Sequence, residues 1–130
     1  MILPAQVDVI IPALNEASAI ADVVRSLLAE LPGLNVTVID DGSSDGTGDL
    51  ARAAGAKVLR HPNPRGYGAS LRTGILAAER DYVLFCDADG QHSATDVRRV
   101  IEAIGDNDMV VGARGADSHS PAARRPGKRI

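Results

Sequence analysis

Aromatic side chains are almost missing from this 130-residue sequence: there is no Trp, and two Tyr and one Phe are the whole supply. Apolar residues still make up 45% of the chain, so the core has to be built from Val, Ile, Leu and Ala, as suits packed layers of helix and sheet. Cysteine is equally scarce. The single Cys86 excludes an internal disulfide and a cysteine-based zinc cluster, and its place inside an apolar run fits a buried thiol in a reducing compartment. No apolar run approaches the roughly 18 to 20 residues that span a bilayer, and the amino terminus lacks the basic-then-apolar layout of a signal peptide. The expectation is a cytoplasmic chain, soluble or peripheral on the inner face of a membrane. Nor does one charge dominate: 14 basic and 17 acidic residues leave a formal charge of −3, which gives no hint of nucleic acid.

What the sequence does have is a regular alternation of short apolar runs and helical periodicity, within a length that suits one domain. Val7 to Ile11 reads as a strand ended by Pro12. Ile20, Val23, Val24, Leu27, Leu28 and Leu31 then share one helical face, stopped by Pro32 and Gly33. Val36 to Ile39 is a second strand, followed by an Asp-, Ser- and Gly-rich turn and a short helix through Leu50, Ala53 and Ala54 that Gly55 ends. Lys57 to Arg60 is a brief third strand, and a helix carrying Leu71, Ile75 and Ala78 follows a Pro- and Gly-rich loop. Tyr82 to Cys86, apolar on both faces, reads as a central parallel strand. Ser93 is placed to cap a helix with Val97, Val100, Ile101 and Ile104 inside, and Met109 to Val111 makes a fifth strand. Residues 113–130 lose the periodicity and carry five basic residues (Arg114, Arg124, Arg125, Lys128, Arg129) against Asp117. Such a tail either meets an anion or is a solvated end.

In a parallel sheet wound by right-handed crossovers, the residues just after each strand converge at one edge. The distinctive polar groups all follow strands: Asn15 and Glu16 the first, Asp40 and Asp41 the second, and Asp87, Asp89, Gln91 and His92 the fourth. Two like charges about 4 Å apart repel by roughly 4 kcal/mol at an effective dielectric near 20, so a positive group is expected to offset them. Oxygen donors spaced as Asp-Ala-Asp-Gly-Gln suit Mg²⁺ or Mn²⁺, which keep waters and take further ligands from substrate phosphates. A cation there would join an acidic crevice to a diphosphate and act as a Lewis acid on it as it leaves.

These segments, from Val7 to Arg114, resemble family 2 glycosyltransferases of the GT-A fold, in the branch similar to dolichyl-phosphate mannosyltransferases and bacterial polyprenyl-phosphate glycosyltransferases. The resemblance implies an α/β/α sandwich, Rossmann-like with a mostly parallel central sheet, ending here after the fifth strand. Residues 1–112 would be the nucleotide-sugar-binding part and residues 113–130 the start of the acceptor region. Val9 to Glu16 resembles the first nucleotide-contacting loop, which implies Pro12, Ala13, Asn15 and Glu16 near the base and ribose. Ile39 to Thr47 resembles the second hallmark and implies that Asp41 faces the base, with Asp45 and Thr47 organising the turn. Arg65 to Ala69 resembles a loop whose glycines, Gly68 among them, let backbone approach the donor; Pro64 stands where the family has a polar residue. Asp87 to His92 resembles the metal motif, which implies Asp89 and Gln91 on the cation and Asp87 on the ribose or the metal's outer shell. Val111 to Arg114 resembles the segment where an arginine, Arg114, meets the acceptor phosphate. The activity implied is inverting transfer of a sugar from a UDP- or GDP-type donor to a polyprenyl phosphate at a membrane surface. Oligomeric state stays open, a homo-oligomer included.

Taken singly, each motif has a plainer reading. A D-x-D often marks a solvated turn, Asn15-Glu16 a helix start, and Gly66-Tyr67-Gly68 lacks the third glycine of a dinucleotide fingerprint, Leu71 standing in its place. Their order and placement at strand ends is the specific signal. His92 reads as a helix-start residue, while His61 and His119 have no assignable partners. Three rival functions remain: a catalytically incomplete nucleotide-sugar-binding module, a sugar nucleotidyltransferase, and an aspartyl-phosphate phosphatase with Asp87 as nucleophile. The nucleotidyltransferase lacks its Gly-rich basic loop after the first strand, and the phosphatase nucleophile belongs on the first strand rather than the fourth.

Overall fold

The computed structural model of the chain describes residues 2–90 and 94–104, and its middle is strand β1 (Val7–Ala13), buried at every position but Pro12. β2 (Asn35–Asp40) pairs with it on one side and β4 (Tyr82–Phe85) on the other, with β3 (Lys57–Arg60) outside β2. All three pairings are parallel, in the order β3-β2-β1-β4. Helices α1 (Ile20–Glu30), α2 (Thr47–Ala54), α3 (Tyr67–Ala77) and α4 (Ala94–Ile104) connect and follow them.

Strand alternation divides the apolar residues between two layers. Val7, Val9, Ile11, Val36, Val38 and Leu84 form one cluster with Ile20, Val24 and Leu27 of α1, Ala51 of α2, and Val97 and Ile101 of α4. Each fully buried Val, Ile or Leu among them contributes about 2 kcal/mol. Ile10 points the other way, beneath α3, which packs across β1 and β2. The close fit there depends on Gly74, since a Cβ at that position would lie 2.3 Å from Ile10 Cγ2.

The expected elements form, with differences of placement. β4, expected at the centre, is an edge strand of the described sheet, and Val83 and Phe85 are 38% and 39% exposed. Among the described strands β1, which carries a buried Asp8, and β2 are the interior ones. α2 buries Thr47, Gly48 and Ala51 and leaves Leu50 exposed. α3 rests on the sheet through Ser70 and Gly74, with Ile75 and Leu76 outward, because only small residues allow so close an approach. The Ser93 cap, the Met109 to Val111 strand and the 113–130 segment lie outside the described residues.

At the amino-terminal rim the Asp8 carboxylate accepts the Glu79 and Arg80 backbone N–H groups at 2.9 and 2.8 Å and the Asn35 side-chain amide. Arg80 in turn donates to the Gly33 carbonyl at 2.6 Å. This polar staple fastens the start of β1 and β2 to the turn before β4. The opposite rim is left for the functional loops. Among the described residues no helix is long and apolar enough to cross a membrane.

Candidate functional site

Because every strand pair is parallel, the loops after β1, β2, β3 and β4 all leave from the carboxyl-terminal rim. The loops after β1 and β2 are laced together. Asn15 N–H donates to Ser43 Oγ at 2.9 Å, and Asn15 Oδ1 accepts Ser44 N–H at 2.9 Å. Glu16 N–H donates to Thr47 Oγ1 at 3.0 Å, and Ala17 N–H to Asp45 Oδ2 at 3.1 Å. Asp45 Oδ1 also accepts the Thr47 N–H and hydroxyl, so Asp45 and Thr47 organise the turn as their positions implied. Asn15 sits at φ 54, in the left-handed region that Asn tolerates better than most residues.

The two aspartates after β2 separate by alternation. Asp40, fully buried on the α2 side, accepts Ser43 N–H at 2.9 Å on Oδ1 and the Arg60 guanidinium at 2.5 Å on Oδ2. It forms part of a cavity of about 420 Å³ lined also by Ser43, Arg52, Val58 and Arg60. Asp41 faces the α3 side. Its Oδ1 is 2.7 Å from His61 Nδ1 and accepts Arg65 N–H at 2.8 Å, while Oδ2 accepts Gly66 N–H at 2.9 Å. Burial alone would raise the Asp41 carboxyl, but the His61 bond and the two backbone donors outweigh it and hold it below the usual carboxylate range. The loop comes this close because Gly42 lies against it: at φ +84, its added Cβ would be 2.9 Å from Pro64. The crowding of carboxylates expected from the sequence is thus relieved in part by the protein's own donors at Asp40 and Asp41.

The loop after β4 begins where Cys86 N–H donates to the Ile10 carbonyl at 3.1 Å. Burial, then the charges of Asp87 and Asp89, push the Cys86 thiol up to about 12, so it stays protonated and inert. Asp87 is half-buried and Asp89 exposed at the rim. Burial and then the charge of Asp87 raise the Tyr67 hydroxyl, at the start of α3. Two carboxylates one residue apart, one of them open to solvent, suit a hard cation that keeps waters and phosphate oxygens as its other ligands. Among the described residues no cluster of three or more His, Cys, Asp or Glu forms a ready-made metal cage. Gln91 and Arg114 lie outside the described residues.

The sequence-derived residues lie beyond or at the ends of the parallel strands: Pro12, Glu16 and Asp87 half-buried, Ala13 and Asp41 buried, and Asn15, Gly68 and Asp89 exposed. Asn15 spends its carbonyl on joining loops. Asp40, which the sequence grouped with Asp41, turns away from it. The sequence left His61 unassigned, yet it is 5% exposed and bridges Asp41 to Thr73 Oγ1, 2.8 Å from its Nε2. Its position immediately after a strand was the available signal.

This chain belongs to glycosyl transferase family 2, whose family model matches residues 8–130. It is 38% identical over 124 residues to glycosyltransferase AglJ of Haloferax volcanii, covering 94% of this chain and 40% of that protein. It is 34% identical over 113 residues to the undecaprenyl-phosphate mannosyltransferase of Micrococcus luteus, covering 81% of this chain and 46% of the relative. A crystal structure of glucosyl-3-phosphoglycerate synthase from Mycobacterium tuberculosis, in complex with Mn²⁺, UDP and glucosyl-3-phosphoglycerate, superposes with a TM-score of 0.66 and 29% identity over 76% of this chain and 39% of that one. The α/β fold with its parallel sheet is thus that of the GT-A glycosyltransferases. The chain spans about half the length, or less, of these relatives.

Proposed function

We propose that this chain binds the donor of a glycosyl transfer, a UDP- or GDP-type sugar nucleotide, across the carboxyl-terminal rim. The base and ribose lie against Pro12, Ala13, Asn15, Glu16 and Asp41, with Asp87 on the ribose and the Gly68 backbone close to the donor. Asp89 and Gln91 hold Mg²⁺ or Mn²⁺, which when bound neutralises the diphosphate and stabilises the charge it gains on leaving. The observation that carries this reading is the meeting of the loops after β1, β2, β3 and β4 at one rim, in a chain of family 2. The solved relative holding Mn²⁺ and UDP supports it.

The acceptor in this reading is a polyprenyl phosphate at the cytoplasmic face of a membrane, supported by the undecaprenyl-phosphate mannosyltransferase relative. An acceptor phosphate oxygen attacks the anomeric carbon opposite the diphosphate; the new C–O bond forms as the bond to the diphosphate breaks, and the configuration inverts. A phosphomonoester with a second pKa of about 6 is largely ionised at neutral pH and needs no protein base. Arg114, in the basic segment 113–130, meets the acceptor phosphate.

Calorimetry with UDP and GDP, in Mn²⁺ and in chelator, on this chain and on Asp89→Ala tests donor binding. Affinity that depends on both the metal and Asp89 supports the reading, and affinity indifferent to both contradicts it. Incubation with a labelled sugar nucleotide and undecaprenyl phosphate then separates transfer from binding alone, the outcome expected of a catalytically incomplete donor-binding module.

A further inference from the structure

An ionised carboxylate only accepts, at about four lone-pair positions. Among the described residues three donors occupy Asp41: His61 Nδ1 and Arg65 N–H on Oδ1 at 2.7 and 2.8 Å, and Gly66 N–H on Oδ2 at 2.9 Å. With these, one position on Oδ2 remains. It accepts a ring N–H, such as a uracil- or guanine-type base presents, and repels the lone pair that cytosine carries at the corresponding nitrogen.

The direction of that position depends on what holds the carboxylate. Since Asp41 can only accept, His61 Nδ1 carries its hydrogen, and in the neutral ring Nε2 then accepts the Thr73 hydroxyl, 2.8 Å away on α3. His61 is buried, and the loop residues Arg65 and Gly66 hang from the same carboxylate. Asp41 therefore cannot rotate without breaking a buried bond to a side chain that is itself held at its far end.

We propose that His61 is a positioning residue for nucleobase recognition: through Asp41 and Thr73 it fixes the one carboxylate position left for a base N–H, and so sets a preference for UDP over CDP. This rests on the reading above that Asp41 faces the base.

The test is calorimetry of UDP and CDP with Mn²⁺ on the full chain and on Asp41→Asn, His61→Leu, His61→Asn and Thr73→Val, at a temperature where circular dichroism shows each variant folded. His61→Leu is expected to lower the UDP-to-CDP affinity ratio about tenfold, and Thr73→Val about threefold. His61→Asn, whose amide N–H takes the place of Nδ1–H, restores most of the ratio. A purely structural His61 would lower the melting temperature and leave the ratio at its original value in every His61 and Thr73 variant, which overturns the proposal. If His61→Leu does not fold, an unchanged ratio in Thr73→Val overturns it alone. A ratio unmoved by Asp41→Asn overturns the base-facing reading itself and the inference with it, whereas a ratio that moves with Asp41 and not with His61 or Thr73 overturns only the inference.

Discussion

Asp40 and Asp41 are adjacent in the chain and serve opposite faces of the sheet: Asp40 is clamped by Arg60 and the Ser43 amide beneath α2, and Asp41 by His61 and the Arg65 and Gly66 amides towards α3. The pair looks like one acidic site in the sequence. Alternation along the strand makes it two, one holding a turn together and one facing the loops of the candidate donor site.

Asp40→Ala leaves a half-exposed arginine and a buried Ser43 N–H without their acceptor. The expected cost is about 2 to 3 kcal/mol, read from the urea midpoint. Nucleotide affinity of the folded variant should stay close to that of the parent chain, and a loss of affinity larger than the loss of stability would place Asp40 in the site after all.

Gly74→Ala inserts a methyl group 2.3 Å from Cγ2 of the buried Ile10, so Ile10 or α3 must shift to admit it. Overpacking of this kind costs about 1 to 3 kcal/mol. In an Ile10→Ala background the same substitution should cost markedly less, and a double-mutant cycle measures that coupling. Strict additivity would mean that α3 does not pack on β1 as described.

Stability should fall in acid with a definite sign. Burial alone would raise the Asp8 carboxyl, but the Arg80 backbone N–H, the Asn35 amide, the Glu79 N–H and the Arg80 charge outweigh it and depress it below its ordinary 3.8. A depressed carboxylate contributes fully above its unfolded pKa, and the contribution disappears as pH falls through the folded value. Melting temperatures recorded from about pH 6 down to pH 3 should therefore decline at the acid end. Asp8→Asn should start lower at pH 6 and show a shallower decline; an equally steep one would assign the acid limb to other groups.

Much of the fold was legible because it rests on local rules. The spacing of Ile20, Val24, Leu27 and Leu31 gave α1, and Gly55 at φ +115 ends α2 where a glycine stop was expected. The rim was legible too, since parallel winding sends every strand end the same way. Two features depend on distant parts of the chain and were not. The small face of α3, Ser70 and Gly74, is chosen by Ile10, some 60 residues away in sequence. His61 acquires its role from Asp41 and Thr73, and only alternation from Ile39 to Asp41 could have hinted which aspartate it would meet.

The most direct measurement is an amide chemical-shift titration of the isotopically labelled chain with UDP and Mg²⁺. The largest perturbations should fall at Ala13, Glu16, Asp41, Gly66, Gly68 and Asp89, and shrink when the metal is withheld. Perturbations confined to Arg52, Val58 and Arg60 beside α2, or to the Asp8 and Arg80 rim, would contradict a donor site at the carboxyl-terminal ends of the strands.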